Sequence, residues 1–209
     1  MLEAFVAGLL LITISELGDK TFFIAVILAC RHTPLLVITG VVAALATMTL
    51  LSVGMGQLFS FLPAIYIHWA EVLLFLGFGV KLLIQGWRMP TAAVGACEDV
   101  CQEAIKVVKD ASADLPEPTQ LGVLLQSFSL TFLAEWGDRT QIATIGLAAA
   151  KNPWGVTLGA IVGHTICAAI AVLGGQFIAG RISERTITLT GGGLFLLFAL
   201  LGIQKLIGA

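Results

Sequence analysis

Glu16-Leu17-Gly18-Asp19-Lys20-Thr21 stands in the middle of one long apolar run, and Glu135-Trp136-Gly137-Asp138-Arg139-Thr140 in the middle of another. Each sextet places two carboxylates, a glycine, a cation and a hydroxyl among side chains that cannot solvate them. On insertion scales an Asp, Lys or Arg at a membrane-helix centre costs roughly 2.5–3.5 kcal/mol. Charges kept at that cost are there to be used, and ion handling is the first use to consider.

The surroundings of the sextets decide the fold class. Of 209 residues, 58% are hydrophobic and 11% charged, whereas a soluble domain carries about a quarter charged residues. Six stretches are long and apolar enough to span a bilayer: 2–30, 35–61, 64–87, 121–150, 154–179 and 186–206. Short breaks with Pro, Asn, Arg or Lys separate most of them. One break is long, from Arg88 to Gln120, rich in Ala, Pro and acidic residues, with a candidate amphipathic helix over 97–111. The chain therefore reads as an all-α integral membrane protein, with the lipid bilayer as its surroundings. A net charge of −2 leaves no basic footprint for nucleic acid. The four cysteines, Cys30, Cys97, Cys101 and Cys167, follow no metal or redox spacing and read as inert thiols. The first stretch is too long, and too polar at its centre, for a cleaved signal peptide.

The offset of 119 residues that carries Glu16 to Glu135 also carries Pro34 to Pro153, Gly40 to Gly159, Gly56 to Gly175, Gln57 to Gln176 and Gln85 to Gln204. One offset holding across the chain indicates duplication: a first three-helix repeat over 1–89, a cytoplasmic acidic linker over 90–119 and a second repeat over 120–209. Three spans per half make the second half enter the membrane inverted, an architecture common among secondary transporters. Arg31, Arg88, Lys106, Lys109, Arg181 and Arg185 fall on one side, Lys151 and Lys205 on the other. The positive-inside rule then places both termini outside and the linker in the cytoplasm.

Glu16 and Glu135 fall near the midpoints of their stretches. Positions i and i+3 share a face of a helix, so Glu16 and Asp19 point the same way, as do Glu135 and Asp138. The glycine between them permits close helix approach or a local break that frees backbone carbonyls. Inversion brings the pairs together as four carboxylates around a midplane cavity, with Thr21, Thr140 and Gln141 as neutral oxygens. Such a site suits calcium and manganese, and magnesium less readily. Two acids and one base per sextet sum to −2, the complement of one divalent ion. With the ion gone, protons are the natural replacement, since burial and like-charge crowding favour the neutral form of an acid. The competing reading is structural: intrahelical pairs Glu16–Lys20 and Glu135–Arg139 would turn the sextets into glue between helices.

The doubled E-x-G-D-[KR]-[ST] motif, in two three-span halves joined by an acidic linker, resembles the cation/proton antiporter family that includes the Golgi manganese and calcium transporters of eukaryotes and the manganese exporters of bacteria. The resemblance covers nearly the whole chain. It implies Glu16, Asp19, Glu135 and Asp138 as metal-site acids, with Gly18, Lys20, Thr21, Gly137, Arg139 and Thr140 completing the motif. It also implies exchange of Mn²⁺ or Ca²⁺ for protons without a cofactor, with no enzymatic activity. The compact form implies a bacterial exporter in the inner (plasma) membrane, and a homo-oligomer is left open.

Other features weigh less. His164 lies inside the fifth span opposite Leu45, so it breaks the symmetry; it either serves the ion path or bonds a neighbouring helix. Gln57 and Gln176 either line the path or bond between helices. His68 and Glu71 read as solvated at the membrane surface, and Cys97, Glu98, Asp99, Cys101 and Glu103 as a solvated acidic face. Two rivals come from other classes. An intramembrane aspartyl protease would use buried Gly-Asp dyads, but G-x-G-D is absent here. A passive divalent-cation channel would usually build its filter from a ring of subunits.

Overall fold

The computed structural model describes residues 1–17, 19–89, 98–112, 119–178 and 184–207. Among them all regular structure is helical: α1 (Leu2–Glu16), α2 (Lys20–Arg31), α3 (Pro34–Phe59), α4 (Ala64–Arg88), α5 (Glu98–Ser112), α6 (Gln120–Ala134), α7 (Arg139–Ala150), α8 (Pro153–Ile178) and α9 (Glu184–Ile207). Helices α3, α4, α8 and α9 are each long and apolar enough to cross a membrane. The chain is a membrane protein built on these helices.

The expected continuous spans 2–30 and 121–150 are not continuous. Each is cut at its sextet, into α1 and α2 and into α6 and α7. The cause is local. Asp19 and Asp138 adopt extended backbone, with φ −78°, ψ 173° and φ −70°, ψ 164°, and each caps the helix that follows. The Asp19 side chain accepts from Lys20 N at 2.9 Å, and Asp138 from Thr140 N at 3.4 Å. In the second break Gly137 sits at φ 81°, where a β-carbon would be strained. Gly18, its counterpart, lies outside the described residues. Both breaks keep the same closing bond, from the aspartate N–H to the glutamate carbonyl three residues back, at 3.1 Å in each. Pro34 and Pro153 open α3 and α8 at the first turn, where a proline's missing N–H costs nothing.

Packing relies on close backbone approach, because lipid supplies no hydrophobic drive between helices. Gly155, Gly159 and Gly163 line the face of α8 that receives α1 from Met1 to Thr13, and the two helices run parallel. Gly40 and Gly56 of α3 likewise receive α6 near Ser127 and α7 near Ala148. Helices α4 and α9 pack antiparallel, with Val72 against Gly202, Gly79 against Leu196 and Gly86 against Leu189. Their shared core is aromatic: Phe75 and Phe78 meet Phe195 at 5.8 and 5.7 Å. This pair leans on α1 and α7. The linker helix α5 forms as expected, and it buries Ala104 and Val108 against α2. Cys97 and the side chains of Glu98, Asp99, Cys101 and Glu103 lie outside the described residues.

Candidate functional site

The two breaks bring helix ends face to face in the middle of the bundle. The C-termini of α1 and α6 present carbonyls and the N-termini of α2 and α7 present N–H groups, so partial charges of both signs surround the gap. Glu16 and Asp19 therefore do not share a helical face: Glu16 ends α1, and Asp19 caps α2. The same holds for Glu135 and Asp138.

Glu16 is buried at 2% exposure and Glu135 at 4%. Each accepts from the threonine five residues on: Thr21 Oγ1 donates to Glu16 Oε2 at 3.1 Å, and Thr140 Oγ1 lies 3.3 Å from Glu135 Oε2. Thr140 Oγ1 also lies 3.1 Å from Asp138 Oδ2, so one hydroxyl serves both acids of its sextet. Gln141 accepts from the Gly137 N–H at 2.7 Å and so holds the second break in shape. Glu16 lies within electrostatic reach of Glu135, Asp19 and Asp138.

The cation of the second sextet serves the first. Arg139 Nη2 lies 3.3 Å from Asp19 Oδ2. The intrahelical pair of Arg139 with Glu135, on which the competing structural reading rested, does not form among the described residues, because Glu135 ends the helix before the break and Arg139 opens the helix after it. Lys20 opens α2 beside Asp19, to which its backbone N–H donates.

His164 of α8 joins the site. Its Nδ1 is 3.8 Å from Glu16 Oε1, beyond hydrogen-bond range, and both atoms are buried without a hydrogen-bond partner among the described residues. Three further buried hydroxyls, Thr13, Ser15 and Thr131, also lack partners among the described residues. Sequence reading missed these three, although polar residues in the last turn before each glutamate were the available signal. A cavity of about 150 Å³ runs from Ser15, Asp19 and Arg139 past Leu82 to Gln85 and Ile187, near the end of α4 that leads into α5. Gln85 is thus a fourth residue the sequence reading left without a role.

Two candidates stand apart. Gln57 Nε2 donates to the Ala148 carbonyl at 2.8 Å and ties α3 to α7, the interhelical alternative. The side chain of Gln176 lies outside the described residues. Among the described residues, no group of three or more His, Cys, Asp and Glu side chains is close enough to hold an ion. The four acids converge on one region, and Arg139 stands among them.

The model of the family described as divalent cation/proton antiporter GDT1 matches residues 4–90 and again residues 123–207. The GDT1-like protein of Synechocystis sp. is 60% identical over 200 residues, covering 95% of this chain and 96% of that protein. The chloroplastic GDT1-like protein 2 of Oryza sativa subsp. japonica is 43% identical, and the chloroplastic PAM71-homolog of Arabidopsis thaliana 42%. Each of these two covers 94% of the chain, which spans only 60% and 58% of their lengths. No solved structure matches the chain.

Proposed function

Since the chain belongs to the GDT1 family of divalent cation/proton antiporters, we propose that it exchanges Mn²⁺, with Ca²⁺ as the alternative substrate, for protons at the two broken sextets. Glu16, Asp19, Glu135 and Asp138 supply the oxygens, and Thr21 and Thr140 orient the glutamates. The observation that carries this reading is the Arg139–Asp19 pair across the two sextets. It puts a tethered cation on an acid of the site, so an arriving metal ion takes over a charge balance that Arg139 now keeps. Taking Asp19 from Arg139 lets the four carboxylates close on the ion as hard oxygen ligands. Protons replace the ion on the return, so metal and protons compete for one set of oxygens.

Six spans arranged as two inverted repeats suit this cycle. In support, α2 and α7, and α3 and α8, have matching bounds at the 119-residue offset, and the family model matches each half separately. The cavity beside Asp19 extends toward the α5 end, while the buried Phe75 and Phe195 pack between α4 and α9 on the way to the other end. With the basic loops facing the cytoplasm, this is a state open to the cytoplasm, and the net task is manganese export across the plasma membrane. Membership of a transporter family sets the protease reading aside.

Purified protein in liposomes loaded with a pH-sensitive dye tests the proposal, with Mn²⁺ and Ca²⁺ added in turn. Metal-driven proton movement that is lost in both Glu16→Gln and Asp138→Asn is the expected result. Metal flux without proton movement would make the protein a channel or uniporter instead.

A further inference from the structure

A second cavity, of about 250 Å³, opens at the opposite end of the bundle, where α1 starts and α9 ends. It reaches in as far as Leu10 of α1 and Leu194 of α9. The first cavity ends at Ile14 and Gly191 on the same two helices. About one helical turn, roughly 6 Å along α1, therefore separates them. Phe75 and Phe195, both fully buried, pack against each other and Phe78 between α4 and α9 and line neither cavity. Along α4 the order is Glu71, the phenylalanines, then Leu82 and Gln85: one cavity, a plug, the other cavity.

Glu71 is the anomaly. It lines the second cavity yet is only 6% exposed, and no hydrogen bond or ion pair reaches it among the described residues. The expectation of a solvated surface residue fails, because α9 packs over this part of α4. The titratable groups that share the cavity are Glu3, His68, Lys151 and Lys205. Glu3 is neutralised by Lys151 at 2.7 Å. His68 Nδ1 donates to the Ala64 carbonyl at 2.7 Å. With Glu3 paired to Lys151, the Lys205 ammonium is the remaining cation and repels a divalent ion, and one carboxylate is far short of its six to eight oxygen ligands. A proton needs only the one carboxylate.

We propose that Glu71 is the proton acceptor and donor at this end of the bundle, passing protons between bulk water and the central acids when the phenylalanine plug opens. The proton moves from the cavity to a Glu71 carboxylate oxygen and on to the carboxylates vacated by the metal, with no other bond made or broken. This rests on the antiport reading above.

The full chain in liposomes tests it, with Mn²⁺ as the probe, comparing wild type, Glu71→Gln and Glu71→Asp. One assay follows Mn²⁺-driven proton movement; the other follows exchange of labelled for unlabelled Mn²⁺ at equal pH, which needs no net proton transfer. Glu71→Gln is expected to slow the first by about tenfold or more while leaving the second within about twofold, and Glu71→Asp to restore the first. Equal loss in both assays would make Glu71 a packing residue and overturn the proposal. An unaffected Glu71→Gln variant beside an active wild type overturns it alone. Wild type that exchanges Mn²⁺ but moves no protons overturns the antiport reading, and this one with it.

Discussion

Glu16 and Glu135 both close a helix, both are buried, and both bond a threonine five residues on, at 3.1 and 3.3 Å. Beyond that first contact their surroundings part. Among the described residues Glu16 keeps one buried oxygen without a partner, facing an equally unpartnered His164 nitrogen. Asp138 shares the Thr140 hydroxyl with Glu135, whereas Asp19 looks across to Arg139 of the other sextet. Near-identical local sequence thus gives a helix break at each sextet, closed by the same aspartate-to-glutamate backbone bond, and different polar networks. The first sextet has unmet hydrogen-bonding capacity, and the second donates a cation to it. A binding site needs that inequality at any one moment, because buried acids with all partners satisfied have nothing left for an ion.

The comparison breaks most sharply at the glutamates. If both sextets hold the ion, Glu16→Gln and Glu135→Gln each reduce Mn²⁺-driven proton movement in liposomes by about 100-fold or more, beyond the 10–100-fold typical of residues outside the direct ligand set. One variant retaining near-normal exchange would show that only the other sextet carries the ion. Next comes the cross-pair. Arg139→Ala leaves Asp19 without its partner and is expected to lower exchange by about 30-fold, with Arg139→Lys recovering only part because an ammonium cannot present the planar fork.

Packing around the sextets offers a third contrast. A β-carbon at Gly159 would run into the Phe5 carbonyl, while one at Gly40 meets the Leu124 carbonyl at 2.7 Å. Gly159→Ala is therefore expected to destabilise by about 1–2 kcal/mol and Gly40→Ala by less, read as loss of midpoint temperature in detergent. The smallest effect belongs to His164. Replacing it with Leu, the residue at the matching position 45, removes the asymmetry at Glu16 and should weaken apparent Mn²⁺ affinity by about fivefold, a modest outer-contact loss. An unchanged affinity would reduce His164 to a space-filling role.

Composition and the doubled offset made the helical membrane class and the sextets legible. The interruption of the helices was not read from the apolar run, because hydrophobicity is uniform on both sides of each sextet and carries no mark of a stop. The mark was in the motif itself. Gly followed by Asp is a helix-ending residue followed by a helix-capping one, and Thr two places on supplies a hydroxyl to the capped turn. Partner choice was out of reach for another reason. Arg139 stands four residues from Glu135 in sequence, and only the break and the crossing of the two halves send it to Asp19. Glu71 was misplaced because distance from a span's end says how deep a residue lies, not whether another helix covers it.

The glycine stripe at 155, 159 and 163 also has a consequence for how the protein is made. Helix α1 leaves the ribosome well before α8, yet the surface shaped to receive it belongs to α8. Until α8 emerges, α1 waits beside lipid or insertion machinery with its own backbone-contacting face bare. Helix α6 has no such delay, since α3 is already in place to hold it. Nascent chains stalled before α8 should therefore be clients of quality control.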